Sequence, residues 1–134
     1  MIVLKGRVVS GFGHFRARMT NFPEVFRRAT GEVLFKGTLN VEVDRQIEIK
    51  EHFRIRGTEI NEPEQDLLFE VCRVNGVWGY RIRPYVLATG EGGHGDNVLE
   101  ISCAREIPNA ACGSEIQIEL FRDDIGLREN CADS

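Results

Sequence analysis

Leu39, Val41 and Val43 alternate with Thr38, Asn40 and Glu42. That period of two marks a strand with one buried and one polar face. Residues 2–10 mix β-branched and polar side chains and predict another strand, which Gly11-Phe12-Gly13-His14 breaks. Residues 67–74 and 77–87 flank Asn75-Gly76. That dipeptide supplies both positive-φ residues of a type I′ turn, so a hairpin is expected here. Residues 98–103 and 115–121 predict two further strands, 33–35 a short strand or edge, and 46–50 alternates weakly. Residues 14–20 fit either a resumed strand or a loop, and 57–66, polar with Pro63, reads as a surface loop.

One segment has the marks of a helix, residues 21–31. Asn21 can cap its free N–H groups, Pro23 is tolerated in the first turn, and Glu24 suits the positive end of the dipole. Arg27 and Arg28 suit the other end, Gly31 can take a left-handed cap, and Phe22 and Phe26 form an apolar stripe. Six or seven strands, one short inserted helix and turn-rich connections describe an all-β barrel or sandwich.

Composition narrows the function classes. The 134 residues suffice for one domain: a barrel over 1–122 and a polar, flexible tail over 123–134. The formal charge is −4, which disfavours a general nucleic-acid binder. No apolar run approaches a membrane span, and the first residues lack the pattern of a signal peptide. A cytoplasmic monomer without membrane or nucleic-acid partners is therefore expected. Cys72, Cys103, Cys112 and Cys131 lack metal-site spacing, and reduced, mostly buried thiols are expected. The 14 glycines cluster at 11–13, 76–79 and 90–95, which means many turns and hints at backbone lying close to a ligand.

Candidate chemistry sits beside these clusters. Gly11-Phe12-Gly13, with His14, Arg16 and Arg18 after it, could turn backbone N–H groups toward phosphate oxygens, although an ordinary turn explains it as well. Thr38 and Asn40 share one strand face and carry neutral oxygens suited to a hard cation; Lys36 stands just before them. A merely polar strand face is the plainer alternative. His94 and Glu100 flank a glycine-rich loop and the next strand, where they could transfer a proton or accept hydrogen bonds. Trp78 and Tyr80 fit core or edge packing, and His52 a surface position.

Four stretches in one order resemble the CTP-dependent riboflavin kinase family. Gly6-x-Val8-Val9-Ser10-Gly11-x-Gly13 is similar to its glycine-rich nucleotide loop. Gly37-Thr38-Leu39-Asn40-Val41-x-Val43-Asp44 is similar to its G-T-L-N signature, the most specific of the four. His94 stands six residues before Glu100 within Val98-Leu99-Glu100-Ile101, as the family's histidine precedes its glutamate. Arg105-Glu106 precedes Gly113 by seven residues, resembling the L-R-E…D-G-D segment. Phe15 stands where the family has a further glycine, Ala104 where it has leucine, and Cys112-Gly113-Ser114 where it has D-G-D. These departures fall mainly on the nucleotide side.

The resemblance implies a six-stranded cradle-loop barrel that transfers the γ-phosphoryl of CTP to the 5′-hydroxyl of riboflavin, giving FMN and CDP. It implies Mg²⁺ held by Thr38 and Asn40. It places the nucleotide against Ser10, Gly11, Phe12, Gly13, His14, Arg16, Lys36, Arg105 and Glu106. His94 and Glu100 would be catalytic and face the flavin. The alternatives are a barrel of the same family that binds a flavin or nucleotide without turnover, and a purely structural or interaction barrel.

Overall fold

The computed structural model describes residues 1–11, 14–85 and 95–123. It shows seven strands: β1 (Ile2–Val9), β2 (Leu39–Val43), β3 (Phe53–Ile55), β4 (Leu67–Val74), β5 (Val77–Pro84), β6 (Val98–Cys103) and β7 (Glu115–Leu120). Two helices, α1 (His14–Asn21) and α2 (Pro23–Thr30), lie between β1 and β2. The sheet order is β3-β4-β5-β6-β2-β1-β7, and β4 also pairs with β7. Six antiparallel strands thus close into a barrel, and closure leaves no unpaired edge within it. β4 changes partner along its length: Cys72–Val74 meet β7, while Leu67–Phe69 meet the extra strand β3.

The predicted hairpin forms in the expected register, with Val74 opposite Val77. Asn75 and Gly76 both adopt positive φ, 47° and 83°, as a type I′ turn requires. The period of two then separates two cores. Inside the barrel pack Leu4, Val8, Val41, Val43, Cys72, Val74, Leu99, Ile101, Ile116, Ile118 and Leu120. On its outer face, Phe15 and Met19 of α1 and Val25 and Phe26 of α2 meet Ile55, Leu67, Phe69 and Ile82.

Several expectations are corrected. Residues 14–20 are helical, so two short helices replace the single one. Asn21 ends α1 rather than capping α2, whose N-cap is Phe22 with no side-chain hydrogen bond. Residues 33–35 form no strand, although the Phe35 N–H donates to the Cys103 carbonyl at 2.9 Å. The 57–66 loop contains a 3₁₀ turn over Gly57–Ile60, with Gly57 and Ile60 buried. Cys72 and Cys103 are free and buried, whereas Cys112 is free and exposed. His52 is exposed, as expected, and its Nδ1 accepts from the Val71 N–H at 3.0 Å. Tyr80 packs against the outer core, but Trp78 is exposed and stacks on Phe121. Among the described residues no helix is long and apolar enough to cross a membrane. The expected tail lies, from residue 124 onward, outside the described residues, as does Cys131.

Candidate functional site

The strand pairings sort the barrel into two ends. At one, β1 and β6 finish while β2 and β7 begin. A cleft of about 620 Å³ opens there. One wall carries Gly11, Arg16, Lys36, Gly37, Thr38 and Asn40; the other carries Ser102, Cys103, Arg105, Glu106 and the segment 107–111. Seven predicted site residues, Gly11, Arg16, Lys36, Thr38, Asn40, Arg105 and Glu106, therefore meet in one place despite spanning 96 positions of sequence.

Each is placed by packing. α1 anchors itself through buried Phe15 and Met19, so Arg16 between them is exposed toward the cleft. The residue in the family's glycine position, Phe15, is thus a core residue of the outer cluster. Gly37 adopts φ +94°, a left-handed turn that leads the chain from Lys36 into Thr38, and its N–H lies 3.2 Å from Met19 Sδ. The far wall is tied down as well. The Asn75 Nδ2–H₂ donates to the Pro108 carbonyl at 2.9 Å, and the Gly113 N–H donates to the Val8 carbonyl at 2.8 Å.

Asn40 is the most unusual group in the cleft. It is buried on the polar face of β2, and its Nδ2–H₂ faces the Thr38 carbonyl at 3.4 Å. Its Oδ1 is buried with no hydrogen-bond partner among the described residues. Such an acceptor costs about 1–3 kcal/mol unless a ligand or ion satisfies it. Gly11 lies directly against this carboxamide: a Cβ there would sit 2.0 Å from Nδ2. The glycine is needed for the space Asn40 occupies.

The charges at the cleft are disposed for a ligand. Arg16, Lys36 and Arg105 have no hydrogen-bond or ion-pair partner for their cationic heads among the described residues. Glu106 is the one carboxylate among the described lining residues. Burial pushes the Cys103 thiol up to about 11, so it is protonated at neutral pH and is no nucleophile there.

The remaining predicted residues are placed differently. Glu100 stands directly opposite Asn40 in the β2–β6 register and is buried, but it does not line the cleft. Ser10 is exposed at the end of β1 and does not line it either. His14 begins α1. Phe12, Gly13 and His94 lie outside the described residues, as does the glycine-rich segment 90–94. Sequence reasoning missed Phe35, Ser102 and the 107–111 wall. An aromatic residue directly before Lys36-Gly37 was the available signal for the first.

The opposite end holds a second group of charges, unannounced by any motif. Glu70, Arg81, Arg83 and Arg122 are all buried, on the strand parity that faces the interior. The Arg81 Nη2–H donates to the Ile47 carbonyl at 2.6 Å, and its Nη1 lies 3.7 Å from Glu70 Oε1. Arg122 Nε lies 3.1 Å from Glu70 Oε2, and Arg83 Nε lies 2.8 Å from Asp96 Oδ1. Glu70 Oε1 also accepts from the Lys50 N–H at 3.1 Å. Burial pulls Arg81 down to about 10, against the upward pull of Glu70 and Asp96, so it is still charged at neutral pH.

No protein-family model matches this chain, and no curated protein does.

Proposed function

We propose that the chain is a phosphotransferase that moves the γ-phosphoryl of CTP to the 5′-hydroxyl of riboflavin, giving FMN and CDP. The carrying observation is the buried Oδ1 of Asn40, beside Thr38 in a cleft with three cations, for which the described residues supply neither a hydrogen-bond donor nor ion-pair partners. The G-T-L-N resemblance supplies the reaction class.

The residues present fit Mg²⁺. A neutral amide oxygen without a donor and a hydroxyl two residues away are hard ligands, and a phosphate-bound magnesium ion takes only one or two protein groups. Thr38 Oγ1 and Asn40 Oδ1 would hold it. When bound, the ion neutralises charge on the phosphate oxygens.

The chain's own contribution is positioning and charge. Arg16 and Lys36 bind the triphosphate, and Arg105 and Glu106 face the nucleoside. The riboflavin 5′-oxygen attacks the γ-phosphorus as the bond to the β-phosphate oxygen breaks, and the hydroxyl proton is released. The resemblance gives Glu100, across the strand pair from Asn40 but outside the cleft lining, the role of acceptor for that hydroxyl, and gives His94, outside the described residues, a role toward the flavin. Such a transfer needs little covalent chemistry from the protein, so a site without a strong base is adequate.

The test is one assay: purified protein, riboflavin, Mg²⁺ and each of the four nucleoside triphosphates, with FMN measured by chromatography. FMN formed with CTP, and lost in Thr38→Ala and Asn40→Ala at unchanged fold, is the expected result. No FMN with any of the four would overturn the reading.

A further inference from the structure

Phe35 is 56% exposed on the cleft wall. The other two exposed aromatics among the described residues have partners: Trp78 stacks on Phe121 at 5.1 Å, and Tyr85 lies 5.6 Å from the Arg54 guanidinium. Phe35 has no ring or guanidinium partner among the described residues.

Its backbone, by contrast, is held on both sides. The Phe35 N–H donates to the Cys103 carbonyl at 2.9 Å, and its carbonyl accepts from the Ser102 hydroxyl at 3.4 Å. A non-strand segment is thereby fixed to the end of β6. A ring more than half exposed on a fixed backbone is preorganised, so little conformational entropy is lost when a flat ligand covers it.

The neighbours define that ligand. Lys36 follows directly and Arg16 lines the same cleft, the two cations assigned to the triphosphate. Two residues, Lys36 and Gly37, separate Phe35 from Thr38, at most about 10 Å of chain. A flat ring joined to phosphates over that span is a nucleotide. Riboflavin also has a flat ring, but it is uncharged and leaves these cations unused.

We propose that Phe35 is the stacking wall for the base of the nucleoside triphosphate. This deepens the kinase reading and rests on it for the identity of the nucleotide. Stacking accepts any base, because every base has a π-face, so Phe35 supplies affinity and the choice of cytosine falls to polar groups.

Titration calorimetry of the whole chain with Mg²⁺ tests it, using CTP, ATP, GTP, UTP, riboflavin and inorganic tripolyphosphate as probes. Phe35→Ala removes an exposed ring, so the variant should keep its fold. It should bind CTP roughly 10- to 100-fold more weakly, the range for losing one stacked base. Tripolyphosphate and riboflavin affinities should not change. Phe35→Trp should restore CTP binding, with a change in indole fluorescence on addition of CTP.

Undiminished CTP affinity in Phe35→Ala overturns the proposal. So does equal weakening of CTP and tripolyphosphate, which would mark a general disturbance of the cleft, or a loss confined to riboflavin. Failure of the kinase reading looks different: wild-type protein that binds CTP through Phe35 but makes no FMN keeps the wall and loses the reaction. FMN formation with unchanged CTP affinity in Phe35→Ala keeps the reaction and loses the wall. Wild-type protein that binds none of the four triphosphates overturns both.

Discussion

The two ends of this barrel use cationic side chains in opposite ways. At the cleft end Arg16, Lys36 and Arg105 carry no ion partner among the described residues. At the other end Arg81, Arg83 and Arg122 are buried and held by Glu70, Asp96 and the Ile47 carbonyl. A buried guanidinium must be paired, because the protein interior does not replace its hydration. An unpaired exposed one keeps its water and can exchange it for a ligand's phosphate. The lesson is that counting arginines says little about binding. Their burial and pairing separate charge that organises the fold from charge available to a ligand.

The ionic end should break most severely. Glu70 is fully buried between Arg81 and Arg122. Glu70→Gln keeps the volume but leaves both guanidiniums without their carboxylate, which should cost about 3–5 kcal/mol. A urea unfolding curve reads this as a large fall in midpoint. A fall below about 1 kcal/mol would mean that water already solvates this end, and the contrast between the ends would collapse.

The cleft end should behave in the opposite way: large functional loss at small cost in stability. Asn40→Ala removes an amide whose oxygen has no partner among the described residues, so the urea midpoint should hold or rise slightly. On the kinase reading FMN formation should fall on the order of 100-fold, because loss of a proposed Mg²⁺ ligand would misplace the phosphates. Gly11→Ala should come next, at roughly 10-fold. The added Cβ meets the Asn40 carboxamide, which must swing away. Because that effect runs through Asn40, the double variant should be no worse than Asn40→Ala alone. Additive losses would show that Gly11 acts on the ligand independently.

How legible each end was in the sequence follows from the range of its signals. The hairpin was readable from two residues, because Asn75-Gly76 fixes a type I′ turn. That turn also dictates that Glu70 lies opposite Arg81, so the ionic end had a readable trace. What it lacked was a sign that this face points inward, since a charged residue on a strand ordinarily reads as solvent-facing. α1 was illegible because only Phe15 and Met19 give it an apolar side, and one i,i+4 pair does not establish a helix period. β3 was missed because three residues cannot show alternation, and its pairing to β4 depends on tertiary closure. Thr38 and Asn40 were readable as a pair from strand parity. That Asn40 would be buried, with an orphaned oxygen, was not, because Gly11 lies 29 residues earlier and its contact depends on the β1–β2 register.

The smallest effect expected is also the cleanest separator of the two ends. Arg16→Gln and Lys36→Gln each remove one exposed cation and should weaken tripolyphosphate binding about 3- to 10-fold at low salt, within the range for surface charge pairs. At 1 M salt the screening length falls to about 3 Å, so wild type and variants should then bind alike. The destabilisation by Glu70→Gln should persist under that same salt, since ions do not reach Arg81 and Arg122. Affinity differences at Arg16 or Lys36 that survive 1 M salt would mean these side chains act by shape rather than charge. A Glu70→Gln penalty that disappears in salt would make the two ends electrostatically equivalent, and the division between structural and available charge would fail.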